Sequence, residues 1–126
     1  RKSLTLSIQP SPANINRLGS HWSTRSREVK RVQQQVWWQL IQFRKETWPR
    51  PPLLVHCHRI GRGKAMDPTG IIESLKGVLD GCVTAGFLPD DSDKFIKIEH
   101  PSQETDTSLA VGNSILRVTF EAYLED

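Results

Sequence analysis

Residues 53–86 read Leu53-Leu-Val-His-Cys-His-Arg-Ile60, then Gly61-Arg-Gly-Lys-Ala-Met66, then Asp67-Pro-Thr-Gly-Ile-Ile-Glu-Ser-Leu-Lys76-Gly-Val-Leu-Asp80-Gly-Cys-Val-Thr-Ala-Gly86. The first block alternates, with Leu53, Val55 and Cys57 on one side and Leu54, His56 and His58 on the other, which is the pattern of a strand. The second is a basic loop whose glycines predict flexibility. In the third, Ile72, Leu75, Leu79 and Val83 recur at steps of three and four, so they share one face of a helix from Gly70 to about Ala85. Asp67 can cap free amides, Pro68 is tolerated in a first turn, and Gly86 suits the C-terminal stop. A strand beside a helix with one apolar stripe calls for a sheet on which that stripe is buried.

The flanks supply it. Ser3 to Gln9 alternates with period two and reads as a strand, broken by Pro10, Pro12, Asn14 and Asn16. From Ser23 to Trp48, Val29, Val32, Val36, Leu40 and Phe43 mark one face of a long helix, stopped by Pro49, Pro51 and Pro52. Residues 94–99 and 114–121 read as two more strands separated by a polar loop. The order β-α-β-α-β-β predicts an α+β fold: a mixed four-stranded sheet with two main helices packed on it. At 126 residues the chain suits a single domain, 1–126, with no internal repeat or low-complexity segment.

Composition narrows the function. With 37% hydrophobic and 25% charged residues the chain is globular, neither collagenous nor wholly disordered. No apolar run approaches the roughly 20 residues of a membrane span, and the start lacks a signal-like stretch, so a soluble intracellular protein is expected. Cys57 and Cys82 form no CxxC pair and are expected in the core. The net charge of +3 conceals an asymmetry. Residues 1–64 hold 13 Lys/Arg against 2 acids, whereas residues 65–126 hold 4 against 12. A basic surface attracts polyanions through counterion release, and the bland alternative is solvated charge evened out in three dimensions.

Candidate chemistry concentrates between Asp67 and Asp93. Glu73, Lys76 and Asp80 are spaced to share one helix face, an arrangement that by itself reads as a surface ion pair. Asp67 precedes that helix, and Asp90, Asp91 and Asp93 follow it. Carboxylates from separate segments can hold Mg²⁺ when phosphate oxygens complete its shell, and such an ion can activate water against a phosphodiester. Arg25, Arg27, Lys30, Arg31, Arg44 and Lys45 on the first helix, with Arg59, Arg62 and Lys64, would bring phosphates to these acids. Trp37 and Trp38 are adjacent, so one is expected to be exposed or at a subunit interface, where base stacking is the alternative. His56 and His58 share a strand face but lack further zinc ligands, and read as a packed or hydrogen-bonded pair.

The run from Asp67 to Asp91, above all Lys76 to Asp91 with its Ala85-Gly86-Phe87 turn and paired Asp90-Asp91, resembles the signature of RusA-type Holliday junction resolvases, particularly the bacteriophage and prophage branch. Pro10-Ser-Pro12, Asn16-Arg17 and His21-Trp22 extend the resemblance over most of the chain. It implies a homodimeric, Mg²⁺-dependent endonuclease, with Mn²⁺ as a substitute, that makes paired nicks in four-way DNA junctions in the cytoplasm of a bacterial or phage-infected cell. By position, the resemblance makes Asp67 and Asp91 metal ligands, Asp90 a secondary ligand or orienter, and Lys76 a positive group near the scissile phosphate. The chain departs from the family at Thr69 and Gly70, where typical members carry a second Asp and an Asn; Glu73 is the candidate to supply the absent oxygen. That departure raises the alternative of a catalytically weakened or noncatalytic junction-binding protein of the same fold.

Overall fold

Three strands that alternate core and solvent along their length need a cover on one side only, and two amphipathic helices provide it. The computed structural model describes residues 2–12 and 22–123. Its order is β1 (Ser3–Ile8), α1 (Trp22–Leu40), β2 (Leu53–Gly61), α2 (Pro68–Thr84), β3 (Ile96–Ile98), β4 (Ser102–Thr105) and β5 (Ile115–Ala122), with one 3₁₀ turn at Lys45–Thr47. The fold is α+β, with a mixed five-stranded sheet and two helices. β5 lies between β1 and β2, antiparallel to both, while β3 and β4 run parallel to β2 along its other edge.

Leu4, Leu6 and Ile8 of β1, Leu116, Val118 and Phe120 of β5, and Leu53, Val55 and Cys57 of β2 are all buried on the helix-covered face. Val32, Val36 and Leu40 of α1 and Ile71, Leu75, Val78, Leu79 and Cys82 of α2 close the core from above. Both cysteines are buried there as free thiols; burial pushes Cys57 up to about 11 and Cys82 higher still, which leaves both as core groups and poor nucleophiles. The helices are parallel and approach closely where Gly77 meets Val32 and Gly81 meets Val36. α2 opens as its sequence predicts, with Asp67 as N-cap accepting from the Thr69 amide at 3.1 Å and Pro68 in the first turn. It closes on Gly86 at φ +83°, with the Phe87 amide donating to the Cys82 carbonyl and the Gly86 amide to that of Val83, the paired bonds of a Schellman stop.

Two boundaries depart from the sequence reading. α1 ends at Leu40, not near Trp48: Ile41 and Phe43 are exposed beyond the sheet, and Trp48 turns back to meet Phe87 edge-on at 5.5 Å. Arg44 and Lys45 therefore follow the helix. The polar segment before the last strand contains β4. β3 pairs Ile96 with Leu53, whereas β4 pairs Ser102 with His58, so three residues, 99–101, face two on β2. This one-residue bulge reverses the facing of the edge, turning Ser102 and Glu104 onto the helix-free side. The outer edge at β1 is also closed: the Gln39 amide exchanges hydrogen bonds with the Ser7 backbone at 2.8 and 2.7 Å, and Gln35 does the same at Gln9 at 3.1 and 3.0 Å. Two glutamines thus occupy backbone groups that would otherwise template another strand.

Candidate nucleic-acid interface

Because both helices run antiparallel to β1 and β2, their N-termini gather at the carboxyl end of β2. Arg25 and Arg27 on the first turns of α1, and Arg62 and Lys64 on the loop after β2, are exposed at that end. The loop is tethered, contrary to the flexibility its glycines predict. The Gln103 side chain accepts from the Met66 amide and donates to the Met66 carbonyl, both at 2.8 Å, and the Asp106 amide donates to the Gly61 carbonyl at 2.8 Å. Arg62 and Lys64 are thereby carried on a backbone held at both ends, which lowers the ordering cost of meeting a phosphate.

The other cations differ in availability. Lys30 is exposed midway along α1. Arg31 is committed to Glu28 through a two-point contact, Nε to Oε1 at 2.8 Å and Nη2 to Oε2 at 3.0 Å, so its charge is largely neutralised in place. Arg59 lies half-buried on the helix side of the sheet against Gly61, with its Nε shielded and without a hydrogen-bond partner.

The acids do not converge as a single site. Asp67 caps the start of α2, while the Asp91 charge is felt by Asp80, thirteen residues further along that helix. At 1.5 Å per residue the two positions are roughly 20 Å apart along the axis, beyond the reach of one ion. Asp67 and Asp80 thus stand at opposite ends of α2, and Asp91 acts on the Asp80 end. Asp90 is engaged too, its Oδ1 accepting from the Asp91 amide at 2.7 Å. Among the described residues no group of three or more His, Cys, Asp or Glu side chains is placed to hold a metal ion.

What the structure does bring together is Lys76, Asp80 and Asp91. The Asp80 carboxyl is held above its ordinary range, chiefly by burial and further by Asp91, with Lys76 opposing. Glu73 lies two turns before Asp80 on the same face of α2. Two carboxylates and a lysine can take up a proton or a cation, and Asp80, whose helical spacing by itself reads as an ordinary surface charge, is the member that joins Lys76 to Asp91.

The helix-free side of the sheet carries a second polar group. Ser102 Oγ lies 2.9 Å from His56 Nε2 and 2.6 Å from His58 Nδ1, and His58 Nε2 lies 2.8 Å from Glu104 Oε1. In the neutral tautomer that donates from His58 Nε2 to Glu104, Nδ1 accepts the Ser102 hydroxyl proton and Ser102 in turn accepts from His56. The two histidines form a hydrogen-bonded set with β4, as their shared face predicts. The bulge that brings Ser102 and Glu104 to them has no hydrophobic signature in the sequence.

The expectations for Asn14, Asn16, Arg17 and His21 lie outside the described residues. No described helix is long and apolar enough to cross a membrane. No protein-family model and no curated protein matches the chain.

Proposed function

We propose that this protein binds branched DNA, in the manner of RusA-type junction resolvases, and that binding without efficient cleavage is the reading its geometry supports best. The observation that carries it is the grouping of Arg25, Arg27, Arg62 and Lys64 at one end of the molecule, with the latter pair on a tethered loop. Such a surface recognises phosphate positions and shape more than base edges. A two-fold pair of chains would match the symmetry of a four-way junction. The placement of Asp67 at the opposite end of α2 from Asp80, the carboxyl that senses Asp91, weighs against the Asp67–Asp91 ligand pair that cleavage would use. The test is gel retention of a labelled four-way junction against a linear duplex of the same sequence at rising salt. Preferential retention of the junction, with affinity falling steeply as salt increases, is the expected result; equal or absent retention would refute the reading.

A second reading, metal-dependent nicking, is favoured by the Asp80–Asp91 pair beside Lys76. There, Asp80 and Asp91 would hold a Mg²⁺ or Mn²⁺ ion that supplies an activated water, while Lys76 would sit near the phosphate. Incubating the same junction with each metal separates the two readings. Paired nicks that vanish in Asp91→Asn favour the second, and an intact junction at every metal concentration favours the first.

A further inference from the structure

On the flank of the molecule away from the tethered loop, α1 ends in an exposed apolar surface. Trp37 and Trp38 are 49% and 59% exposed, and Ile41 and Phe43 are exposed beside them. The two indoles meet edge to face, with centroids 5.3 Å apart and planes at 72°. Two adjoining depressions of about 300 and 350 Å³ share Trp37 and Ala85 in their walls. Lys30 borders the first, together with the amide side chains of Gln33 and Gln34, and Lys45 borders the second. Neither depression has a carboxylate among its described lining residues.

We infer that this surface is a stacking platform for unpaired nucleotides of single-stranded DNA. The inference rests on the nucleic-acid reading above and adds to it a second contact, distinct from the basic end. An indole edge-on to its neighbour leaves ring faces pointing in different directions, and an exposed ring face accepts any base. Lys30 and Lys45 flank the rings where a strand's phosphates would run, and the glutamine amides offer sequence-tolerant hydrogen bonds. A second copy of the chain is a poorer occupant, because a two-fold contact here would set the same lysines against each other. Unpaired nucleotides arise at the centre of an opened junction and at gaps, so a protein that grips branched duplexes at one end gains from a platform that holds a displaced base.

The experiment titrates the 126-residue chain with oligo(dT) while following tryptophan fluorescence, and titrates a four-way junction in parallel. Quenching by oligo(dT) that Trp37→Ala/Trp38→Ala weakens by about tenfold or more, a larger loss than the same variant shows for the junction, is the expected result. The single variant Trp38→Ala, at the more exposed ring, guards against a folding defect and is expected to show a smaller loss in the same direction. Junction binding with no affinity for oligo(dT) overturns the platform and leaves the DNA-binding reading standing. Failure to bind either overturns both. A chain that sediments as a dimer and becomes a monomer in Trp38→Glu, without binding oligo(dT), also overturns it and assigns the surface to contact between copies.

Discussion

Asp91, on the turn after α2, faces Asp80 near the end of that helix closely enough to raise its pKa, with burial as the larger cause and Lys76 as the opposing one. A raised carboxyl binds its proton more readily in the folded chain than in the unfolded one. Its charged form therefore opposes folding, and the penalty is relieved as pH falls through the folded pKa. Asp80→Asn is expected to stabilise the protein at pH 7 by less than about 1 kcal/mol, since the carboxyl is only partly desolvated and solvent screens the repulsion. The gain should shrink in acid. Urea midpoints at pH 7 and pH 4 check this; a loss of stability at pH 7 would mean that Asp80 makes a favourable contact that outweighs the repulsion.

The same pair gives a test for a bound cation that does not depend on cleavage. Mg²⁺ between Asp80 and Asp91 would stabilise the folded chain by mass action. Millimolar Mg²⁺ is expected to raise the melting temperature of the wild type by a degree or more and to leave Asp91→Asn unmoved. If both respond alike, the ion acts through general screening. In the nicking reading, Asp91→Asn abolishes cutting and spares junction retention, while Lys76→Ala impairs cutting more than retention.

Asp67 offers a clean separation of structural and metal roles. Its carboxylate caps α2 through the Thr69 amide, a task serine also performs. Asp67→Ser should hold stability within a few tenths of a kcal/mol, whereas Asp67→Ala should cost about 0.5–2 kcal/mol. Any junction-nicking activity should survive Asp67→Ser. Activity lost in a fully stable Asp67→Ser protein would return this residue to the metal site.

Gly77 and Gly81 differ in what they can accept. A Cβ on Gly77 would sit at an ordinary 3.9 Å from Val32, but on Gly81 it would lie 3.3 Å from Val36 Cγ2 and 3.5 Å from the Gln33 Cα. Gly77→Ala is expected to stabilise by up to about 1 kcal/mol through helix propensity. At Gly81 that gain is offset by crowding, and Gly81→Val should destabilise by about 1–3 kcal/mol as the helices are forced apart. Thermal melts of Gly77→Ala, Gly81→Ala and Gly81→Val decide the matter.

These contrasts bear on what a sequence discloses. The alternation of Leu53, Val55 and Cys57 and the caps at Asp67 and Gly86 were legible because one-residue chemistry dictates them. β4 was not, because Ser102-Gln-Glu-Thr105 has no apolar alternation and its pairing depends on a bulge defined only against β2. The end of α1 was obscured because Phe43 continues the helical spacing after the sheet that would bury it has ended. For the candidate site, the spacing of Lys76 and Asp80 on one helix turn was readable. Which distant acid joins them was not, since the length of α2 keeps Asp67 away and the turn after Gly86 brings Asp91 back.

Gln103 tests whether the tethering of the basic loop matters to DNA binding. Its amide satisfies both the donor and the acceptor of Met66, a pairing that only a group with one of each can make. Gln103→Ala leaves both backbone groups to water and frees the loop, at an expected cost of about 1–2 kcal/mol in stability. Junction affinity should fall several-fold, because Arg62 and Lys64 must then be ordered on binding. Gln103→Glu is expected to be worse than Ala for affinity, since its carboxylate can accept from the Met66 amide but confronts the Met66 carbonyl and adds a negative charge beside the two cations. Hydrogen exchange at the Met66 amide reports the loop directly. Faster exchange in Gln103→Ala with unchanged junction affinity would show that the tether serves the fold alone.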